Sequence, residues 1–348
     1  MRAARPRALY ALVFAVHAAF AASVFARLGA PLLWEDEAET AIHGRSVLEY
    51  GVPKVHVGRN IVYGAPLPLS LGADEKLDAY LGSPWGQYLF AAPAVAWSDG
   101  GRDLAARTWR MRVPFALAGW LGVLLVGAVG ASLWPAAAGS RAVFWLGFGV
   151  CLLLSVSLQL HLREVRYYPL VVLALGAAAR LELRHHARGD LPQLRHALLL
   201  APVLFVLFNL FYPAFTAVVV AAAAALALAA ARDRAPLRDR AIVLARSAAP
   251  YALACAAALP IAVLFGLPAQ SRHFFATFDS PLSAFSHQLA SGALYLLRYE
   301  FAAPVLVGAA ALALARRRVG PDAPELCAAL TACDLVVALA AIWWMTIA

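Results

Sequence analysis

The densest chemistry in the chain is Trp34-Glu-Asp-Glu-Ala-Glu-Thr40, with four carboxylates in five residues. Like charges that close raise one another's proton affinity. Beside an apolar run, such a cluster suits a general base or a divalent-cation site. It equally suits a helix N-terminus, where acids favour the macrodipole, and composition does not separate the two. A second group is His161-Leu-Arg-Glu-Val-Arg-Tyr-Tyr-Pro169. On a helix Arg163, Arg166 and Tyr167 share one face, and Pro169 fits the first turn of the next apolar span. Two guanidiniums and a phenol together suit a phosphate or diphosphate. The alternative is an interfacial belt, with arginines snorkelling and tyrosines at headgroup depth. Asp74, Glu75, Lys76 and Asp78 carry charges that could complete a site with the first group. Between 268 and 292, Arg272, His273, Phe274, Phe275, Phe278, Asp279 and Phe285 mix aromatic and polar groups, as a gate over a lipid substrate would. His185-His186 lies in a basic loop and reads as solvated.

The elements that must position these groups are apolar. Of the 348 residues, 63% are hydrophobic and 14% charged, against about 45–50% and about 25% in soluble domains. The mean hydropathy is +0.72. The excess lies in Ala- and Leu-rich runs of the length that crosses a bilayer as a helix, and lacks the short alternating segments of a barrel. Nine spans are expected, at 8–29, 112–134, 141–159, 166–181, 197–212, 213–231, 247–267, 293–314 and 326–347. The fifth and sixth are one apolar stretch broken near Asn209-Leu-Phe-Tyr-Pro213, where a missing donor and a costly amide predict a tight turn. The first 26 residues resemble a signal peptide, with small residues near Ala21–Ser23. The apolar run is long for one and more spans follow, so it reads as an uncleaved first span.

The net charge of +9 comes almost wholly from arginine, with Lys54 and Lys76 the only lysines. Most arginines flank apolar runs, as topology signals do, which argues against nucleic acid as a partner. Arginine in the short loops places the N-terminus and the segments 135–140, 182–196, 232–246 and 315–325 in the cytoplasm. The segments 30–111, 160–165, 212–213 and 268–292 then face outward. Half of the twenty carboxylates fall between Glu35 and Asp103, and a loop that long in a compact chain is usually functional. It should hold interfacial helices. One is predicted over Ala38–Tyr50, with Ala38, Ala41, Ile42, Val47 and Leu48 buried and Glu39, His43, Arg45 and Glu49 wet, stopped by Gly51-Val-Pro53. A second is predicted from Pro84 to Trp97. Cys151, Cys255, Cys327 and Cys333 lie in apolar runs and read as small buried hydrophobes.

Taken in order, these pieces resemble the GT-C glycosyltransferases, nearest the protein O-mannosyltransferase and lipid A aminoarabinose transferase branch. The similarity lies in Asp36-Glu37 after the first span, in the run from Ala38 to Gly51-Val-Pro53, and in Ser83-Pro-Trp-Gly-Gln-Tyr88. It continues in Ala106-Arg-Thr-Trp-Arg-Met-Arg-Val-Pro114 and Arg163-Glu-Val-Arg-Tyr-Tyr168. It covers about residues 8–182. A double proline usual near Ser83 is here the single Pro84, and the further spans and soluble tail of many members are missing. The expected fold is therefore an all-α, polytopic integral membrane bundle. Residues 1–348 form one transmembrane domain, C-terminally incomplete beside such members, with a large extracytoplasmic loop at 30–111.

The resemblance implies a polyprenyl-phosphate sugar as donor and a lipid, glycan or protein as acceptor, joined at the outer face of a membrane. That chemistry needs a base for the acceptor and cations for the departing phosphate; Asp36 is the candidate base, with inversion, and Glu37 would position the acceptor or a metal ion. Arg163, Arg166, Tyr167 and Lys76 would hold the lipid phosphate, and Glu39, Asp74 and Glu75 would form an acceptor or metal site. No cofactor is certain and a divalent cation is compatible. Alanine and arginine usage suggests a GC-rich bacterial genome and hence the plasma membrane. Two non-enzymatic readings compete: a lipid-linked sugar flippase or transporter, and an inactive scaffold. A transporter would want charged or broken helices at mid-membrane, and the span interiors are almost free of charge.

Overall fold

The computed structural model describes residues 4–57, 60–61, 79–134, 138–187, 192–232 and 236–268, with a few positions between 280 and 294. The described chain is helical apart from β1 (His56–Val57) and β2 (Asn60–Ile61), an antiparallel pair of two-residue strands. α1 (Ala4–Phe25) leads through a turn to α2 (Glu35–Tyr50). After the strands come α3 (Gly86–Ser98) and the long α4 (Leu104–Leu133). α5 (Ala138–Leu154) and α6 (Val156–His161) follow, then α7 (Tyr167–Glu182), which ends in a π-turn at Leu183–Ala187. α8 (Gln193–Leu210), α9 (Tyr212–Arg232) and α10 (Leu237–Leu264) complete the bundle.

Among the described residues, five helices are long and apolar enough to cross a membrane: α1, α4, α8, α9 and α10. Their outward surfaces carry leucine, valine and phenylalanine, such as Phe14, Leu198, Val220 and Val263. That is the pattern of helices whose surroundings are lipid. The expected spans at 141–159 and 166–181 differ from a simple crossing. The first breaks at Ser155 into the 17-residue α5 and α6, α5 alone being short of the roughly 20 residues a hydrocarbon core takes, and the second is the 16-residue α7, continued by the π-turn to Ala187. The expected spans at 293–314 and 326–347 lie outside the described residues. The break between the fifth and sixth spans falls where proline and asparagine predict it. α8 stops at Leu210, Phe211 is extended, and Pro213 sits in the first turn of α9.

α4 and α7 make the closest helix pair. Cβ atoms built on Gly119 and Gly122 would lie 2.7 Å from the Leu162 carbonyl oxygen and 2.5 Å from the Leu173 nitrogen. Small residues let the two backbones approach, the usual device where no water drives helices together. Phe115 and Met111 of α4 and Val171 and Ala174 of α7 lie in one buried cluster with Leu200, Leu204 and Leu207 of α8.

Contacts sort the polar segments into two poles. At one, Arg112 of α4 reaches Leu28 and Pro31, Val165 before α7 reaches Glu37, Gly86 abuts Asn209, and Trp85 meets Phe265. At the other, Glu182 of α7 accepts from Tyr251 of α10 at 2.5 Å and lies 3.4 Å from His196 of α8. Thus 30–34, 162–166, 209–212 and 265–268 share one end, as alternating helices require.

Gly122→Ala pushes a methyl into the backbone of α7 and should cost about 1–3 kcal/mol. Gly147 of α5, whose Cβ position has nothing within 4 Å, is the control. Gly147→Ala should gain about 0.5–1 kcal/mol from helix propensity. Thermal unfolding of both variants in detergent checks the opposite signs.

Candidate active site

The site is built on a buried ion pair. Glu37 is 0% exposed and Arg112 is 5% exposed. The Arg112 Nε donates to Glu37 Oε1 at 2.8 Å and its Nη2 to Oε2 at 2.5 Å. Its Nη1 also donates to the carbonyls of Leu28 (2.9 Å) and Pro31 (2.7 Å), and its Nη2 to that of Leu32 (3.3 Å). All three guanidinium nitrogens are therefore used. Glu37 accepts two backbone N–H groups besides, from Val165 at 2.9 Å and Trp34 at 3.3 Å. In the Trp34 bond the Glu37 side chain at N3 reaches back to the N-cap amide at the start of α2. Full pairing is what lets two charges stay buried. Glu37 was expected to position an acceptor or metal ion; here its oxygens join α2, α4 and two loops.

That arrangement explains a second departure from expectation. Arg163, Arg166 and Tyr167 do not share a helical face, because Leu162–Arg166 is an irregular turn. The Val165 N–H is tied to Glu37 instead of to a helical carbonyl, and Arg166 is extended at the N-cap of α7. Arg163 turns away and donates to the Arg27 carbonyl at 3.0 Å. Burial lowers its proton affinity, and the nearby Arg112 adds to the effect.

Arg166 pairs with the first acidic group. Its Nη1 forms a salt bridge with Asp36 Oδ2, joining the two groups singled out by residue type. The guanidinium also lies over the rings of Tyr167, Trp34 and Tyr168, 5.5, 5.9 and 6.0 Å from their centroids, within cation–π range. Asp36 is 36% exposed and Arg166 17% exposed at the side chain, so the pair sits at an accessible rim. Tyr167 stacks on Phe211 with centroids 4.5 Å apart and planes 6° from parallel. One residue further, Tyr212 lines an apolar cavity of about 300 Å³ with Phe208, Phe215, Cys255, Ala258 and Leu267.

One turn along α2, a different polar group packs against α3. Glu39 accepts from the Tyr88 hydroxyl at 3.5 Å and lies 3.8 Å from His43 Nε2. His43 stacks on Tyr80 at 4.6 Å and neither ring nitrogen has a hydrogen-bond partner. Burial raises the Glu39 carboxyl and lowers the His43 imidazole to about 4. The expected faces of α2 hold in part: Ala41 and Val47 pack against buried clusters and Glu49 is exposed, whereas other positions are exchanged. His43 is fully buried while Ile42 and Leu48 are 43% and 47% exposed. The pattern had assumed water outside; an outward apolar face is that of a helix lying at a membrane surface. Gly44 permits the inward packing, since its Cβ would stand 3.0 Å from Ala91 Cβ. The stop at Gly51 holds: it has φ 79° and caps Val47.

Arg112, Trp34, Tyr168, His43 and Tyr88 were not singled out by the sequence. Trp34 and Tyr168 stood inside quoted motifs without a role, and Arg112 was one of three arginines leading into an apolar span, where charge can mark function, with no local feature to separate it from Arg107 and Arg110. Lys76, Asp74, Glu75 and the segment with Arg272 to Asp279 lie outside the described residues. Among the described residues, no three His, Cys, Asp or Glu side chains are grouped to hold a metal ion.

Glu37→Gln leaves Arg112 without its counter-charge and should cost about 3–5 kcal/mol, read as lost monodisperse protein on detergent gel filtration. His43 gives a pH signature. Below pH 6.5 an unfolded histidine takes a proton that buried His43 refuses until about pH 4. Its contribution is whole above pH 6.5 and falls as pH drops toward 4, by about 2 kcal/mol between pH 7 and 5. Glu39, shifted upward, opposes this by favouring the fold as pH falls. His43→Phe should therefore lose less thermal stability than wild type between pH 7 and 5. Compared with known proteins, the chain matches no family model, no curated protein and no solved structure.

Proposed function

We propose that the protein is a membrane glycosyltransferase that moves a sugar from a polyprenyl-phosphate donor to a lipid, glycan or protein acceptor. One observation carries the reading: Asp36 and Arg166, a base and a phosphate ligand by residue type, meet at an accessible rim of the bundle. A glycosyl phosphate carries a good leaving group, so the chemistry needs a base for the acceptor and a cation for the departing phosphate. Asp36 takes the proton from the acceptor hydroxyl or amine. The freed lone pair attacks the anomeric carbon from the face opposite the phosphate. The bond from that carbon to the phosphate oxygen breaks, and its electron pair leaves with the lipid phosphate beside Arg166. The product has inverted configuration.

Glu37 and Arg112 hold the backbones from which Asp36 and Arg166 project. Arg163 is engaged on the Arg27 carbonyl, and Lys76, beyond the described residues, adds positive charge to the phosphate side. The apolar cavity beyond Phe211 suits the first isoprene units of the donor. The GT-C resemblance of residues 8–182 favours the same reading. So does the distribution of arginine, with Arg184, Arg195 and Arg238 near the pole opposite the site, the cytoplasmic side in a nine-span bacterial membrane protein with the site outside.

Asp36→Asn should lower transfer from a labelled polyprenyl-phosphate sugar by about 10²–10⁴-fold, the usual contribution of a general base. Arg166→Ala should weaken binding of the donor. Both are measured on purified full-length protein in detergent. Wild-type transfer rates in Asp36→Asn would remove Asp36 as the base. Passage of the donor across a vesicle membrane without transfer would make the protein a transporter.

A further inference from the structure

We infer that the Asp36–Arg166 ion pair is a donor-operated gate: the lipid phosphate takes Arg166 from Asp36, and only then is the carboxylate open to the acceptor's proton. The inference rests on the transfer reading above and adds an order of events to it. In the free protein the two working groups occupy each other. A carboxylate oxygen held by a guanidinium has its lone pair directed at that donor and is a poorer proton acceptor. As long as the pair stands, the acceptor meets no free base.

Arg166 is also incompletely satisfied. Its Nε is buried with no hydrogen-bond partner, a state that costs free energy. The contrast with Arg112 is direct, since that guanidinium uses every nitrogen on Glu37 and three carbonyls. One arginine is fastened; the other is held by a single side chain at its edge and aromatic rings around its plane. Ring faces bind a cation without fixing its in-plane direction, so the guanidinium can turn between acceptors. A phosphate group presents several oxygens and can engage two guanidinium nitrogens at once.

The other charges of the turn are engaged elsewhere. Glu37 is bound to Arg112, Glu164 lies 3.1 Å from His161 Nδ1, and Arg163 donates to the Arg27 carbonyl. Asp36 is therefore the carboxylate a phosphate must displace. Donor binding creates the base, so donor precedes acceptor, and the base is masked when no donor is present.

The test is equilibrium binding of a sugar-free short isoprenyl monophosphate to full-length protein in detergent. Wild type, Asp36→Asn, Arg166→Ala and the double variant are compared, each checked for a monodisperse folded peak. Removing the competitor should tighten binding in Asp36→Asn by about fivefold. The gain should vanish when Arg166 is also replaced. Equal or weaker binding by Asp36→Asn overturns the gate. So does a gain that survives without Arg166, which would be a plain effect of removing negative charge. If wild type binds through Arg166 and Asp36→Asn binds no tighter, the gate alone falls. If folded wild type and Asp36→Asn both fail to bind the phosphate, the transfer reading falls with it.

Discussion

Burying a glutamate and an arginine that lie 75 residues apart in sequence is expensive, and the rest of the site depends on how Glu37 and Arg112 meet that expense. Several kcal/mol of desolvation per ion must be offset by geometry and hydrogen bonds. Arg112 does so by binding three carbonyls of the turn after α1, and Glu37 by accepting the amides of Trp34 and Val165. These bonds leave the turn, the start of α2 and the segment before α7 little freedom to move separately. A hydrophobic pair of similar size would fill the space without specifying where three backbones go.

The Asp36–Arg166 pair inherits its placement from that frame. Residues 36 and 37 are neighbours on a helix, so their side chains diverge by about 100°. Glu37 faces inward to Arg112 while Asp36 faces the rim. Residues 165 and 166 repeat the arrangement, with the Val165 amide on Glu37 and the Arg166 guanidinium on Asp36. A buried contact and an accessible contact thus lie side by side across the same two stretches of chain. Fixing the backbone while leaving the side chains exchangeable allows a binding site to be both preorganised and responsive.

Much of the helical architecture was legible because apolar length and breaker residues are local signals. The turn at Phe211, the cap at Gly51 and the helix after Pro84 follow from residues within a few positions of each element. Asp36 and Arg166 were legible as chemical types, but their contact was not. The inward burial of His43 and outward exposure of Ile42 were not legible either, because an amphipathic pattern names two faces without saying which solvent each meets. The irregular turn at Leu162–Arg166 depends on an amide captured from 128 residues away by Glu37. Among Arg107, Arg110 and Arg112, nothing local marks the last as the buried one.

The most direct measurement of the central claim is the fate of a polyprenyl-phosphate sugar of known anomeric configuration, followed by NMR in the presence of full-length protein and a panel of acceptors. Inverting transfer breaks the carbon–oxygen bond to phosphate and gives the new glycoside the opposite anomeric configuration. Retained configuration, or a donor left intact by folded protein across the whole panel, would contradict it.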